Sequence, residues 1–209
     1  MKGYENSVLL VTDVQNDFCP GGSLAVNEGD RVVPVINRII RSFTRIVATQ
    51  DWHPQDHISF AVNHPGKKVH DVVEVDGMKQ VLWPMHCVQG TSGADFHPAL
   101  HTENFALILH KGMNPRVDSY STFTENDKQT VTGLEGYLKG LGIASVYLCG
   151  LATDYCILYS ALDAVDLGFK THVVLDACRG VDVPDGNVAK SVKTMQEHGI
   201  ILTRSSELS

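Results

Sequence analysis

The strongest constraint on this chain is a recurrence of short apolar, β-branched runs, each too short for a helix and each closed by a polar residue or glycine. Six stand out: Ser7 to Asp13 (SVLLVTD), Arg45 to Asp51 (RIVATQD), Phe105 to Lys111 (FALILHK), Ser145 to Gly150 (SVYLCG), Lys170 to Asp176 (KTHVVLD) and Ile200 to Thr203 (IILT). Runs apolar at consecutive rather than alternate positions predict strands covered on both faces, as in a parallel sheet. Between them the spacing becomes helical. Asp30 to Ser42 carries apolar residues at 32, 33, 36, 39 and 40, and Gly133 to Leu141, Asp154 to Leu167 and Gly186 to His198 continue the series. This alternation predicts an α/β fold: a single doubly wound domain over residues 1–209, with a six-stranded, mostly parallel sheet flanked by helices on both faces. The stretch from Gln50 to Thr102 breaks the rhythm, being rich in His, Pro and Gly and poor in periodicity, and is expected to be a functional loop.

Composition narrows the function classes. With 43% hydrophobic and 20% charged residues the chain is an ordinary globular one. Its net charge of -7 and scattered Lys and Arg residues argue against a nucleic-acid partner. No apolar run is long enough to span a bilayer, and the opening MKGYENSVLLVTD enters a strand with no cleavage site, so a cytoplasmic protein without a membrane partner is expected. The cysteines at 19, 87, 149, 156 and 178 are odd in number and form no C-x-x-C pair, which argues against a disulfide framework, a zinc ribbon or a redox motif.

In open α/β sheets ligands bind at the carboxyl ends of the strands. Those ends are chemically rich here: Asp13, then Asp51 with His53, then Lys111, and Cys156 one short turn past the fourth run. In GLATDYCILYSAL either Thr153 or Asp154 reads as a helix N-cap, which puts the thiol in the first helical turn. The helix terminus and a nearby cation there predict a thiolate. Attack on an amide further needs a proton for the departing amine and donors for the oxyanion. Asp13 can shuttle the proton, Lys111 can hold Asp13 and Cys156 ionised, and the backbone N–H groups of Ala152 and Cys156 can form the oxyanion hole. In Asp51-Trp52-His53 a carboxylate and an imidazole at i and i+2 project to one face of an extended strand and suit a metal. A third ligand could come from His57, His64, His70, His86 or His97, and such N and O donors suit Zn²⁺, Fe²⁺ or Mn²⁺.

Five blocks carry a resemblance: TDVQNDFCPGGSLAV (12–26), ATQDWHPQDHISF (48–60), WPMHCVQGTSGADFHP (83–98), HKGMNPRVDSYSTF (110–123) and GLATDYCILYSALDA (150–164). Together, and almost end to end, the chain resembles the nicotinamidases of the isochorismatase-like cysteine hydrolase family. The resemblance implies a catalytic triad of Asp13, Lys111 and Cys156, and a cis peptide before Ala152. It selects His86 to join Asp51 and His53 around one divalent metal ion, Zn²⁺ first, with Fe²⁺ and Mn²⁺ compatible, that holds a pyridine nitrogen. His57 follows His53 more closely than the extra histidine of some relatives does, and is left as a neighbour of the ligands or their waters. Phe18 and Trp83 match aromatic pocket walls, Tyr120 matches another pocket residue, and Asp17 is expected to support the first loop. The implied reaction converts nicotinamide to nicotinic acid and ammonia through a cysteine thioester, for NAD salvage, with pyrazinamide-like analogues as further substrates. The alternatives are a related amidase acting on a carbamoyl or ureido compound, and a non-catalytic metal-binding or thiol-sensing α/β module. Whether the chain forms a homo-oligomer is not legible in the sequence.

Overall fold

Every residue of the first strand, β1 (Ser7–Thr12), is buried, because the sheet it occupies is covered on both faces. The computed structural model describes residues 4–208; Met1–Gly3 and Ser209, the outer ends of the expected 1–209 domain, lie outside the described residues. The other strands are β2 (Ile46–Asp51), β3 (Val72–Val75), β4 (Met78–Val81), β5 (Leu107–Lys111), β6 (Ser145–Leu151), β7 (Lys170–Arg179) and β8 (Ile201–Thr203), and the helices are α1 (Val32–Ile39), α2 (Leu134–Gly140), α3 (Leu158–Asp166) and α4 (Asn187–Glu197). Six strands form one sheet in the order β5-β2-β1-β6-β7-β8, with every neighbouring pair parallel.

Alternation along β1 divides the core. Leu9 and Val11 face α1, whose Val32, Val33, Ile36 and Ile39 belong to the same apolar cluster. Val8 and Leu10 face the other way, among Leu134 and Leu138 of α2, Ala161 and Ala164 of α3 and Met195 of α4. Burial of one such leucine or isoleucine is worth about 1.5–3 kcal/mol, so both layers hold the sheet firmly. Among the described residues no helix is long and apolar enough to cross a membrane.

Two features depart from the sequence expectation. The long loop contains an antiparallel hairpin, β3 and β4, joined through Asp76 and Gly77. Its residues are mostly exposed or half-buried, so no apolar face marked it, although Asp-Gly between valine-rich flanks is a strong hairpin signal. Strand β7 runs three residues past the expected Asp176, because beyond a register shift in β6 the pairs Gly150–Cys178 and Leu151–Arg179 extend the ladder.

The strand order fixes where a ligand can sit. The chain moves outward from β1 through β2 to β5, then returns to lay β6 on the other side of β1. The crevice outside the carboxyl ends of β1 and β6 is therefore the switch point at which such sheets bind ligands.

Candidate active site

Parallel pairing places Asp51 directly beside Lys111, and each ends its strand at the crevice. Asp13 follows β1, and Cys156 lies on a π-type turn, Thr153–Ile157, that joins β6 to α3. Four strand ends thus deliver four polar side chains to one place. The Lys111 ammonium, 1% exposed, is their hub. Its Nζ lies 3.0 Å from Asp13 Oδ2, contacts Asp51 Oδ1, donates to the Ser119 carbonyl at 2.8 Å and approaches Cys156 Sγ at 3.6 Å. Asp13 Oδ1 accepts a 2.6 Å bond from the Thr49 hydroxyl. Carboxylate oxygens of Asp13 and Asp51 and the Cys156 sulfur all lie within 4.8 Å of one another.

The charge balance around the sulfur has opposing parts. Burial pushes the Cys156 thiol well above its ordinary range; Lys111 pulls it down, while Asp13 and Asp51 push it up again. One cation serves two carboxylates here and water is excluded, so the surroundings favour the thiol form, against the pull toward thiolate that the helix terminus and Lys111 exert. Burial also raises Asp13, with Lys111 opposing and Asp51 reinforcing the rise. Against burial, Lys111 and His53 hold Asp51 well below the usual carboxylate range. Asp51 is the firmer anion of the two.

The N-cap expectation fails. Ala152 occupies the cap position and no side chain caps the turn. The Ala152 carbonyl instead accepts the N–H groups of Tyr155 and Ile157, both at 3.1 Å. The Leu151–Ala152 peptide is cis.

Beside this cluster, Asp51 Oδ2 lies 3.6 Å from His53 Nε2 and 3.7 Å from His86 Nε2. Such separations suit donors sharing one cation at about 2.0–2.2 Å each. Each histidine has its other nitrogen occupied: His53 Nδ1 donates to Gly112 O and His86 Nδ1 donates to Pro84 O, both at 2.8 Å. That fixes the tautomers and leaves both Nε2 lone pairs facing Asp51, so the three residues fit a divalent cation. Gly112 is required for this. A Cβ there would lie 2.4 Å from the His53 ring, and its φ of +63° disfavours any side chain.

His57 packs its ring 4.1 Å from that of His53, and its nitrogens bond Ser59 Oγ at 2.8 Å and Val117 O at 3.3 Å. Burial, reinforced by His53, pushes its pKa down to about 4, which keeps it neutral beside the donor set. It also falls within 4.8 Å of His53 and Asp118. Among the described residues, His64, His70 and His97 join no such donor cluster.

A slot opens above the sulfur, lined by Phe18, Trp83, Tyr120, Ala152 and Cys156, with Asp51 and His86 along one side. Trp83 Nε1 donates to the Tyr120 hydroxyl at 3.2 Å, which orients both rings. Asp17 lies outside the slot, where its carboxylate accepts the backbone N–H groups of Cys87 and Ser23 at 2.7 and 3.2 Å and ties the first loop to the His86 segment. Four further lining residues escaped the sequence reasoning: Leu24, Asp118, Tyr155 and Val181. The first three lie inside the five blocks, and closeness to Tyr120 and Cys156 could have flagged Asp118 and Tyr155; Leu24, six residues past Phe18, and Val181 carry no such signal.

Residues 7–207 match the model of the Isochorismatase domain. The chain belongs to the isochorismatase family. Within that family it is 48% identical over 200 residues to a nicotinamidase of Acinetobacter baylyi, covering 96% of this chain and 93% of that one. Among solved structures, an Acinetobacter baumanii nicotinamidase and pyrazinamidase superposes with a TM-score of 0.97 at 50% identity, covering all of both chains. A pyrazinamidase of Pyrococcus horikoshii in complex with zinc superposes with a TM-score of 0.78 at 36% identity, covering 95% of this isochorismatase-family chain and 99% of the other.

Proposed function

We propose that this chain is an amide hydrolase that converts nicotinamide to nicotinic acid and ammonia. The carrying observation is the juxtaposition of a buried thiol, flanked by a carboxylate and an ammonium, with a slot of aromatic walls that is also lined by Asp51 and His86, two of three convergent N and O donors completed by His53. The curated nicotinamidase at 48% identity over nearly the whole chain supports the same substrate.

A flat heteroaromatic ring fits between walls such as Phe18 and Trp83. Asp51, His53 and His86 would hold a divalent cation, which supplies an anchor for the pyridine nitrogen and so turns the carboxamide toward Cys156. We assign zinc, following the zinc-bound pyrazinamidase. Asp13 accepts the Cys156 proton and the sulfur attacks the carboxamide carbon. The N–H groups of Ala152 and Cys156 hold the oxyanion. The C–N bond then breaks and ammonia leaves with the proton returned by Asp13. Water, deprotonated by Asp13, attacks the thioester carbon, and the sulfur departs to recover its proton while nicotinic acid forms. Lys111 holds Asp13 and the sulfur in place through both halves. Nicotinic acid so released feeds NAD salvage, in the cytoplasm, and pyrazinamide, with a similar flat ring, is a second substrate.

The test is ammonia release from nicotinamide. Cys156→Ala should lose activity by at least about 10³-fold. Full turnover by that variant would reject the proposal. Apo protein reloaded with zinc, iron or manganese singly assigns the cation.

A further inference from the structure

We infer that Asp154 is a positioning residue that sets the width of the ring slot by fastening one of its walls to the turn that carries the nucleophile. Asp154 is 2% exposed and stands two residues before Cys156. Its carboxylate does not cap its own turn. It reaches instead across to the segment after β7, where Oδ1 accepts the Val181 N–H at 2.9 Å and Oδ2 accepts the Asp182 N–H at 2.9 Å and the Asn187 amide at 3.1 Å. The next residue, Tyr155, adds a second fastening through its hydroxyl, which donates to Val183 O at 2.7 Å. Asp182 in turn accepts the Val188 N–H at 2.8 Å, so this strap is also tied to α4.

The strap and the turn are both walls of the slot, for Val181 and Tyr155 line it together with Cys156. The Tyr155 ring stands edge-on to Trp83 at 4.9 Å and lies 5.4 Å from Tyr120, so it closes the aromatic enclosure on that side. Gly180 records how close the strap comes. A Cβ there would lie 2.8 Å from Asp154 Oδ1 and 2.2 Å from the Val188 side chain. Charge-assisted bonds of this kind are about twice as strong as neutral ones, and a carboxylate can accept from all three donors at once. An asparagine at the same place has one acceptor oxygen and presents its amide to a backbone N–H, which frees the strap at one point or more. A looser strap lets Val181 recede and widens the slot, with Cys156 and its partners left chemically intact.

This inference rests on the slot being the ring site, and the wild-type protein tests that first: no ammonia from nicotinamide would sink the functional proposal itself. Given an active wild type, kcat and KM are measured for nicotinamide and for nicotinamides bearing one methyl group at each ring carbon, with Asp154→Asn and Tyr155→Phe. D154N should raise KM for nicotinamide more than it lowers kcat, and should raise the kcat/KM of at least one methylated substrate relative to nicotinamide by about tenfold. Y155F, which keeps the ring and loses only its bond to Val183 O, should move the same ratio in the same direction by less. If D154N does not fold, Y155F alone decides. An unchanged ratio, with every substrate slowed by one common factor or by none, overturns the inference.

Discussion

Lys111 shows how much one buried charge can organise. The positions proposed as the triad were legible because each sits where a strand runs out, at Asp13, at Lys111 and one turn past β6. The upward push on the Cys156 thiol was not legible, since it comes from the exclusion of water and from Asp13 and Asp51, the second of which the sequence assigns to a different task. Asp154 was equally opaque, because its partners lie about thirty residues away. Two predictions belong at this scale. Gly112→Ala should drive the His53 ring off its carbonyl anchor and weaken cation affinity by about 10–100-fold, read by competition with a coloured chelator. Unaltered affinity would show that the ring tolerates the methyl. The second concerns Glu125, 8% exposed and with Oε2 lacking a hydrogen-bond partner. Burial, then Asp127 and Asp118, push its pKa from 4.5 up to about 7. The folded state therefore holds the proton more tightly than the unfolded chain, so this contribution to stability is present below 4.5 and lost as pH rises through about 7. Glu125→Gln should flatten that part of the profile, measured as urea midpoints from about pH 5 to about pH 8. Parallel curves for the two proteins would count against it.

Elements were legible in proportion to how completely they are buried. Strands β1 and β2 are covered at every position, and each opens on an apolar run, Val8 to Val11 and Ile46 to Ala48, before polar residues close it. Hairpin β3–β4 has no buried face and was passed over as loop. The last residues of β7, Ala177, Cys178 and Arg179, lack the β-branched signature, and only pairing beyond the irregularity in β6 makes them strand. Helix α2 is a different case, since seven residues with two glycines cannot hold a helix in water without packing. Its stability comes from Leu134 and Leu138, both fully buried against the sheet. Leu138→Ala should cost about 2–5 kcal/mol, seen as a lower denaturation midpoint with the denaturant slope unchanged. A loss below about 1 kcal/mol would mean that the cavity collapses around the smaller side chain.

At the scale of the molecule, parallel strands and helix-covered faces followed from the alternation of periods, and so did the end of the sheet at which chemistry would collect. Strand order did not follow, because nothing local in β6 says that it returns to the centre beside β1. The cation is a whole-molecule matter too, since its donors come from β2, the residues just after it and the segment past the hairpin. Any ion bound only by the folded state adds stability by mass action, about 2.7 kcal/mol when free ion stands at a hundred times its dissociation constant. Chelation should therefore lower the thermal midpoint and zinc should restore it. A midpoint indifferent to chelation would argue against tight binding by the native fold.

The strand order also has a consequence for the birth of the protein. Asp13, Asp51, His53, His86 and Lys111 all precede Cys156 in the chain, and the thiol sits on the turn after a strand that must slot in beside β1. During synthesis the proposed proton acceptor, the candidate cation donors and the ammonium leave the ribosome before the proposed nucleophile. A nascent or truncated chain ending before β6 would lack both the sulfur proposed to attack and the Ala152 and Cys156 N–H groups proposed to hold the oxyanion, so amide cleavage waits for β6 and the turn after it.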